Sequence, residues 1–189
     1  WLHGGGFSVG TANDAVTNGT NLSQSGDVVV VSVNHRLNIF GHLDLSAYGE
    51  KYKYSSNVGI MDIVAALKWI QNNIKEFGGD PNNITVFGES GGGAKVLALM
   101  TSPYAKGLFH KGVIESGATE TMGVTFSTKE QSKVLTENIL KNLGITSDNI
   151  DKLQNISNRE LQEASSKALK ETANIYKIPA AFTSDYAME

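Results

Sequence analysis

A short apolar run, Ile84-Thr85-Val86-Phe87, meets Gly88-Glu89-Ser90-Gly91-Gly92-Gly93 and passes straight into Ala94 to Met100, a stretch of helical composition. Few folds accommodate that order. The β-branched and aromatic residues suit a strand, the residues from 94 suit a helix, and only a very tight turn fits between them. The pattern Gly88-x-Ser90-x-Gly92 within this turn is the nucleophile-elbow signature, and a strand before with a helix after is the context that supports it. The turn holds the serine backbone in a strained conformation and exposes Oγ at the carboxyl end of a sheet. Side chains at positions 88 and 92 would collide with the neighbouring strand and helix. The helix that follows brings the positive end of its dipole to the reacting oxygen. The competing reading is a glycine-rich turn with an idle serine.

Other elements agree with an α/β arrangement. Val28 to Val33 reads as a strand buried on both faces, as in a parallel sheet. Gly41 to Ser56 is polar and reads as a surface loop. Ile60, Ile63, Val64, Leu67, Ile70 and Ile74 recur at helical spacing after Asn57, with Gly78, Gly79 and Pro81 as stop signals. Val113-Ile114 is a third strand candidate. Strand and helix alternate, which predicts a mostly parallel central sheet with flanking helices. Beyond about residue 125 the pattern turns helical. Ser127 with Glu130 predicts a capping box for a helix ending near Gly144, with Val134, Leu135, Ile139, Leu140 and Leu143 on its buried face. Ser157 with Glu160 predicts another, for a helix reaching about Tyr176. Residues 1–189 are therefore expected to form a single partial domain: a sheet core over 1–125 and a helical excursion over 126–189 packed on it.

At the start of the chain, His3-Gly4-Gly5-Gly6-Phe7 follows an apolar fragment. Consecutive glycines allow backbone N–H groups to converge on one point, as an oxyanion hole requires, and this motif accompanies the elbow in lipases and esterases. Gly5, Gly6 and Gly91 are the candidate donors.

The segments Trp1 to Phe7, Val33-Asn34-His35-Arg36-Leu37, Asn57-Val58-Gly59-Ile60-Met61-Asp62 and Phe77 through Gly93 together resemble the type-B carboxylesterase family, which includes the cholinesterases. The likeness is sharpest over residues 1–117, and Glu89 before the serine points to that family. It implies a partial α/β-hydrolase fold and hydrolysis of carboxylic esters, with Ser90 as nucleophile and no cofactor. It also implies oxyanion contacts from Gly5, Gly6 and Gly91. Glu89 would sit beneath the site as electrostatic support, and Arg36 would pair with Asp62 in a structural ion pair. The chain departs from the family at His35, where tyrosine is common, and at Asn38, where glycine is common.

A serine hydroxyl needs a base. The order in this fold is serine, acid, histidine, yet His110 is the only histidine after Ser90, and no Asp or Glu lies between them. No ordered triad exists within the 189 residues. The chain also opens at Trp1 without methionine. Together these features predict an internal piece of a larger protein, with acid and histidine supplied by later sequence, and little activity from the piece alone. The alternative is a cholinesterase-like adhesion or binding module without catalysis.

The remaining classes find little support. A net charge of −3 makes no case for nucleic acid, and no apolar run approaches the roughly 20 residues of a membrane span. No histidine or carboxylate pair has metal-site spacing, and the expected partner is a small-molecule ester. The absence of cysteine excludes disulfides and a thiol nucleophile within this stretch and leans toward the cytoplasm. Oligomeric state has no signature.

Overall fold

The computed structural model describes residues 1–117 and 128–177. In chain order the helices and strands are α1 (Thr20–Gly26), α2 (Asn38–His42), α3 (Val58–Asn73), β1 (Thr85–Glu89), α4 (Gly91–Thr101), β2 (Lys111–Glu115), α5 (Lys129–Leu143) and α6 (Asn158–Tyr176), with 3-10 turns between them. They fall into two compact units. One holds Trp1–Arg36 and Gly59–Thr125; the other holds Leu37–Val58 and the chain from Phe126.

The first unit contains the sheet. β1 and β2 run parallel, in register from Thr85 opposite Lys111 to Glu89 opposite Glu115. Leu2 extends the sheet on the other side of β1, donating its N–H to Phe87 O at 2.9 Å and forming parallel bridges to both Gly88 and Val33. The spatial order is therefore Val33, Leu2, β1, β2, all parallel. The expected strand over Val28–Val33 shrinks to a bridge at Val33. Only Trp1 and Leu2 lie alongside it, through Trp1 N to Val31 O at 2.7 Å and Val33 N to Trp1 O at 3.2 Å. Val28 and Val29 are exposed rather than buried on both faces. A ladder needs a partner along its length, and the parallel bridge that sets Leu2 opposite Val33 puts no described residue opposite Val28–Val30.

Alternation along β1 buries Val86 and Gly88 and leaves Thr85 and Glu89 outward. α4 packs on β1 and β2 with Ala94, Val96, Ala98 and Leu99 buried. α3 buries Ile60, Ile63, Val64, Leu67 and Ile70, the expected face. Its 3-10 continuation to Phe77 is closed by Gly78 in the left-handed conformation.

The second unit has its own core, in which Ile39, Leu43 and Leu45 meet Ile139, Leu140, Ile145, Ile150, Leu153 and Ala168. The stretch 41–56, expected as a surface loop, instead carries the end of α2 and three 3-10 turns, and it buries Gly41, His42, Leu43, Leu45 and Ser56. Apolar residues spaced between polar ones were enough to fold it inward. Asn38 begins α2 at φ +48, a left-handed conformation that asparagine tolerates better than most side chains. The capping box of α5 lies one residue later than expected. Ser127 is outside the described residues, and Thr128 and Gln131 exchange the two cap bonds. Thr128 has the extended backbone an N-cap needs (φ −75, ψ 160). The Ser157–Glu160 box on α6 is as expected, and that helix ends at Tyr176.

Candidate active site

Ser90 stands between β1 and α4 at φ 53, ψ −121, a backbone conformation sparsely populated by any residue other than glycine. Its surroundings hold it there: Ser90 N–H donates to Glu115 O at 2.8 Å, and Ser90 O accepts from Ala94 N at 3.1 Å. The turn is possible because nothing projects from its flanks. A Cβ on Gly92 would lie 2.0 Å from Leu2 O, and one on Gly88 would lie 2.6 Å from the Gly92 carbonyl carbon. The sheet and α4 therefore touch backbone to backbone around the serine.

The loop from residue 3 to residue 7 runs beside this turn. A Cβ on Gly4 would meet the Glu89 carboxylate at 3.1 Å and Ser90 Cβ at 3.5 Å. Gly5 and Gly6 take φ +83 and +60, so the glycine run turns in a way side chains would resist. Gly6 lies against Gly91, whose added Cβ would fall 2.6 Å from Gly6 N. The structure thus brings together Ser90, Gly6 and Gly91. Among the described residues no partner is found for the N–H groups of Gly5, Gly6 and Gly91, nor for Ser90 Oγ. Glu89 lies beside the glycine loop. It is exposed at the end of β1, with its carboxylate alongside Gly4, because strand alternation puts it on the outward face of Thr85.

Among the described residues no histidine hydrogen-bonds Ser90 Oγ. His110 sits at the opposite end of β1, its Nδ1 accepting from Ile84 N at 3.1 Å. That is about 20 Å along the strand from Ser90. His42 belongs to the second unit, where its Nδ1 lies 3.1 Å from Ser56 O. His3 stacks on His35 with ring centroids 4.8 Å apart and planes 3° from parallel. His3 Nδ1 is 2.8 Å from Gly4 O. A carbonyl only accepts, so Nδ1 carries the hydrogen; buried Nε2 has no hydrogen-bond partner. Burial holds the His3 pKa below its ordinary value, against the pull of the Gly4 carbonyl and with help from nearby Lys95. His3 is thus a neutral, loop-shaping group.

Arg36 and Asp62 form the expected pair. Nη2 donates to Oδ1 at 2.7 Å, and Nε and the backbone N–H of Arg36 both donate to Oδ2 at 2.9 Å. Burial works to raise the Asp62 carboxyl, but the bonds from Arg36 outweigh it and hold it below its usual value. The ion pair ties the segment after Val33 to α3.

Sequence reading missed two residues here. Gly4 packs against Ser90 itself. Lys95 is fully buried in α4, and its Nζ donates to Gly6 O at 2.7 Å and His3 O at 3.1 Å. A lone lysine amid Ala94, Val96, Leu97, Ala98 and Leu99 was the available signal.

The family model described as "Carboxylesterase family" matches residues 1–185. The chain belongs to the carboxylesterase family. Among relatives of this carboxylesterase-family chain, the para-nitrobenzyl esterase of Bacillus subtilis (strain 168) is 44% identical over 179 residues, covering 94% of this chain and 35% of that protein. The fumonisin B1 esterase of Sphingopyxis macrogoltabida is 42% identical over 132 residues, covering 69% of this chain and 24% of that protein. A solved PNB esterase structure superposes with a TM-score of 0.86 at 39% identity, covering 100% of this chain and 38% of the other. An esterase from Clostridium hathewayi, described as able to hydrolyse aliphatic aromatic polyesters, superposes with a TM-score of 0.85 at 45% identity, covering 93% of this chain and 35% of the other. The fold is a partial α/β-hydrolase fold, and the chain spans only 24% to 38% of the length of these relatives. Among the described residues no helix is long and apolar enough to cross a membrane, and no cluster of three or more His, Cys, Asp or Glu could hold a metal ion.

Proposed function

We propose that the full-length protein hydrolyses carboxylic esters through an acyl-enzyme on Ser90. The observation that carries this reading is the apposition of Gly6 to Gly91 beside a serine held at φ 53 on the N-terminus of α4. Ser90 Oγ attacks the ester carbonyl and gives its proton to a histidine in the part of the protein outside these residues. The tetrahedral oxygen takes its charge into the N–H groups of Gly5, Gly6 and Gly91, aided by the positive end of the α4 dipole. The carbon–oxygen bond to the alcohol breaks, and the alcohol leaves with the proton from histidine. Water, deprotonated by the same histidine, then releases the acid and restores Ser90. Glu89, with its carboxylate alongside Gly4, acts on the loop electrostatically. The names of the relatives support ester substrates, and nothing in the mechanism requires a cofactor.

The test is hydrolysis of p-nitrophenyl acetate and butyrate by the full-length protein and its Ser90→Ala variant. Turnover reduced to the uncatalysed background by the substitution is the expected result. A folded parent without turnover would leave the adhesion or binding module as the better reading.

A further inference from the structure

We propose that Lys95 is a positioning residue that clamps the 3–7 loop in the shape that presents its N–H groups. The proposal rests on the ester-hydrolase reading for its consequence in turnover, but its geometric part stands apart from it. Lys95 has no exposed surface, and it lies five residues after Ser90 on the buried face of α4. Every other buried residue from Ala94 to Leu99 is apolar. An ammonium group there is costly unless its donors are used. They are directed at the loop: Nζ donates to Gly6 O at 2.7 Å and to His3 O at 3.1 Å, and it lies 5.2 Å from the centre of the Phe7 ring.

The two carbonyls bracket the glycines. His3 O belongs to the peptide leading into Gly4, and Gly6 O to the peptide leading into Phe7. Between them lie the two peptides that carry the N–H groups of Gly5 and Gly6. Three consecutive glycines sample a wide range of conformations when unrestrained. One cation holding both ends fixes the outer peptide planes and so limits the two inner ones. Because Lys95 rides on the same helix as Gly91, it also references the loop to the turn that holds Ser90. A donor array is effective only where it is preorganised.

The experiment uses the full-length protein with Lys95→Met, which keeps length and removes donors and charge, and Lys95→Arg, which keeps both. Hydrogen exchange of the peptide spanning residues 2–8 is measured together with hydrolysis of p-nitrophenyl butyrate and inhibition by a trifluoromethyl ketone, which forms a tetrahedral oxyanion adduct. Exchange at 2–8 should rise roughly tenfold in Lys95→Met with α3 unchanged. Its kcat should fall by roughly ten- to a hundredfold with little change in KM, and ketone affinity should fall in step. Lys95→Arg should recover part of both. Parental exchange in Lys95→Met would overturn the clamp, whatever the activity. Raised exchange with parental kcat and ketone affinity would overturn its role in positioning. Raised exchange in a protein whose parent shows no Ser90-dependent turnover would uphold the clamp and sink the ester-hydrolase reading instead. If Lys95→Met does not fold, Lys95→Gln carries the same readouts with the same outcomes.

Discussion

At the scale of single residues, the site is built from places where side chains are forbidden or strained. Gly92 is the strictest. With Leu2 O only 2.0 Å from where a Cβ would stand, neither backbone can yield without breaking the Leu2–β1 pairing. Gly92→Ala should therefore destabilise the protein by about 3 kcal/mol or more, beyond the usual range for overpacking. The denaturant midpoint of the full-length protein would show it. His3 makes a second prediction. Its folded pKa lies below 6.5, so the unfolded chain takes up a proton first as pH falls. Its contribution is complete above 6.5 and is lost as pH drops from there toward the folded pKa. Comparing denaturation at about pH 7.5 and about pH 5.5, the parent should lose more stability than His3→Gln, and equal losses would contradict the placement.

At the scale of elements, the two units use different devices. In the first, β1 and α4 meet at bare backbone, and the Arg36–Asp62 pair ties the segment after Val33 to α3. In the second, α5 and α6 begin at reciprocal side-chain caps. Thr128 and Gln131 close one end of α5, and Gly144 at φ 64 closes the other. Removing the Thr128 hydroxyl leaves an N–H of the first turn to water. Thr128→Ala should cost about 1 kcal/mol. Hydrogen exchange should localise the loss to the first turn of α5, whereas a uniform increase across α6 as well would mean the cap matters to the whole unit.

At the scale of the molecule, this chain supplies about a third of the length of the para-nitrobenzyl esterase it matches, and among the described residues no histidine hydrogen-bonds Ser90 Oγ. Serine without a base retains only what binding and the oxyanion donors supply. The 189-residue chain alone, with folding verified by circular dichroism, should therefore turn over p-nitrophenyl butyrate at least about a thousandfold more slowly than the full-length protein. Turnover within tenfold of the full-length protein would require a base that the structure does not place.

The elbow, the glycine loop, the buried face of α3 and the α6 cap were legible in the residues because each is a local rule: a turn that excludes Cβ atoms, a helical period, a side chain reaching three residues along. The strand at Val28–Val33 and the loop at 41–56 were misread because their states depend on partners distant in sequence. A run of valines becomes a strand only where another strand lies beside it, and a polar stretch folds inward only if Ile139 and Leu140 are there to receive Leu43 and Leu45. Lys95 was visible as an oddity in an apolar helix, but its role could not be read, since its partners are carbonyls some ninety residues earlier in the chain. Sequence by itself determined which groups can do chemistry and how each bends its own backbone. Only the tertiary structure decided which of them meet, because a contact between Gly6, Gly91 and Lys95 follows from how the first residues lie along β1, and no local rule contains that.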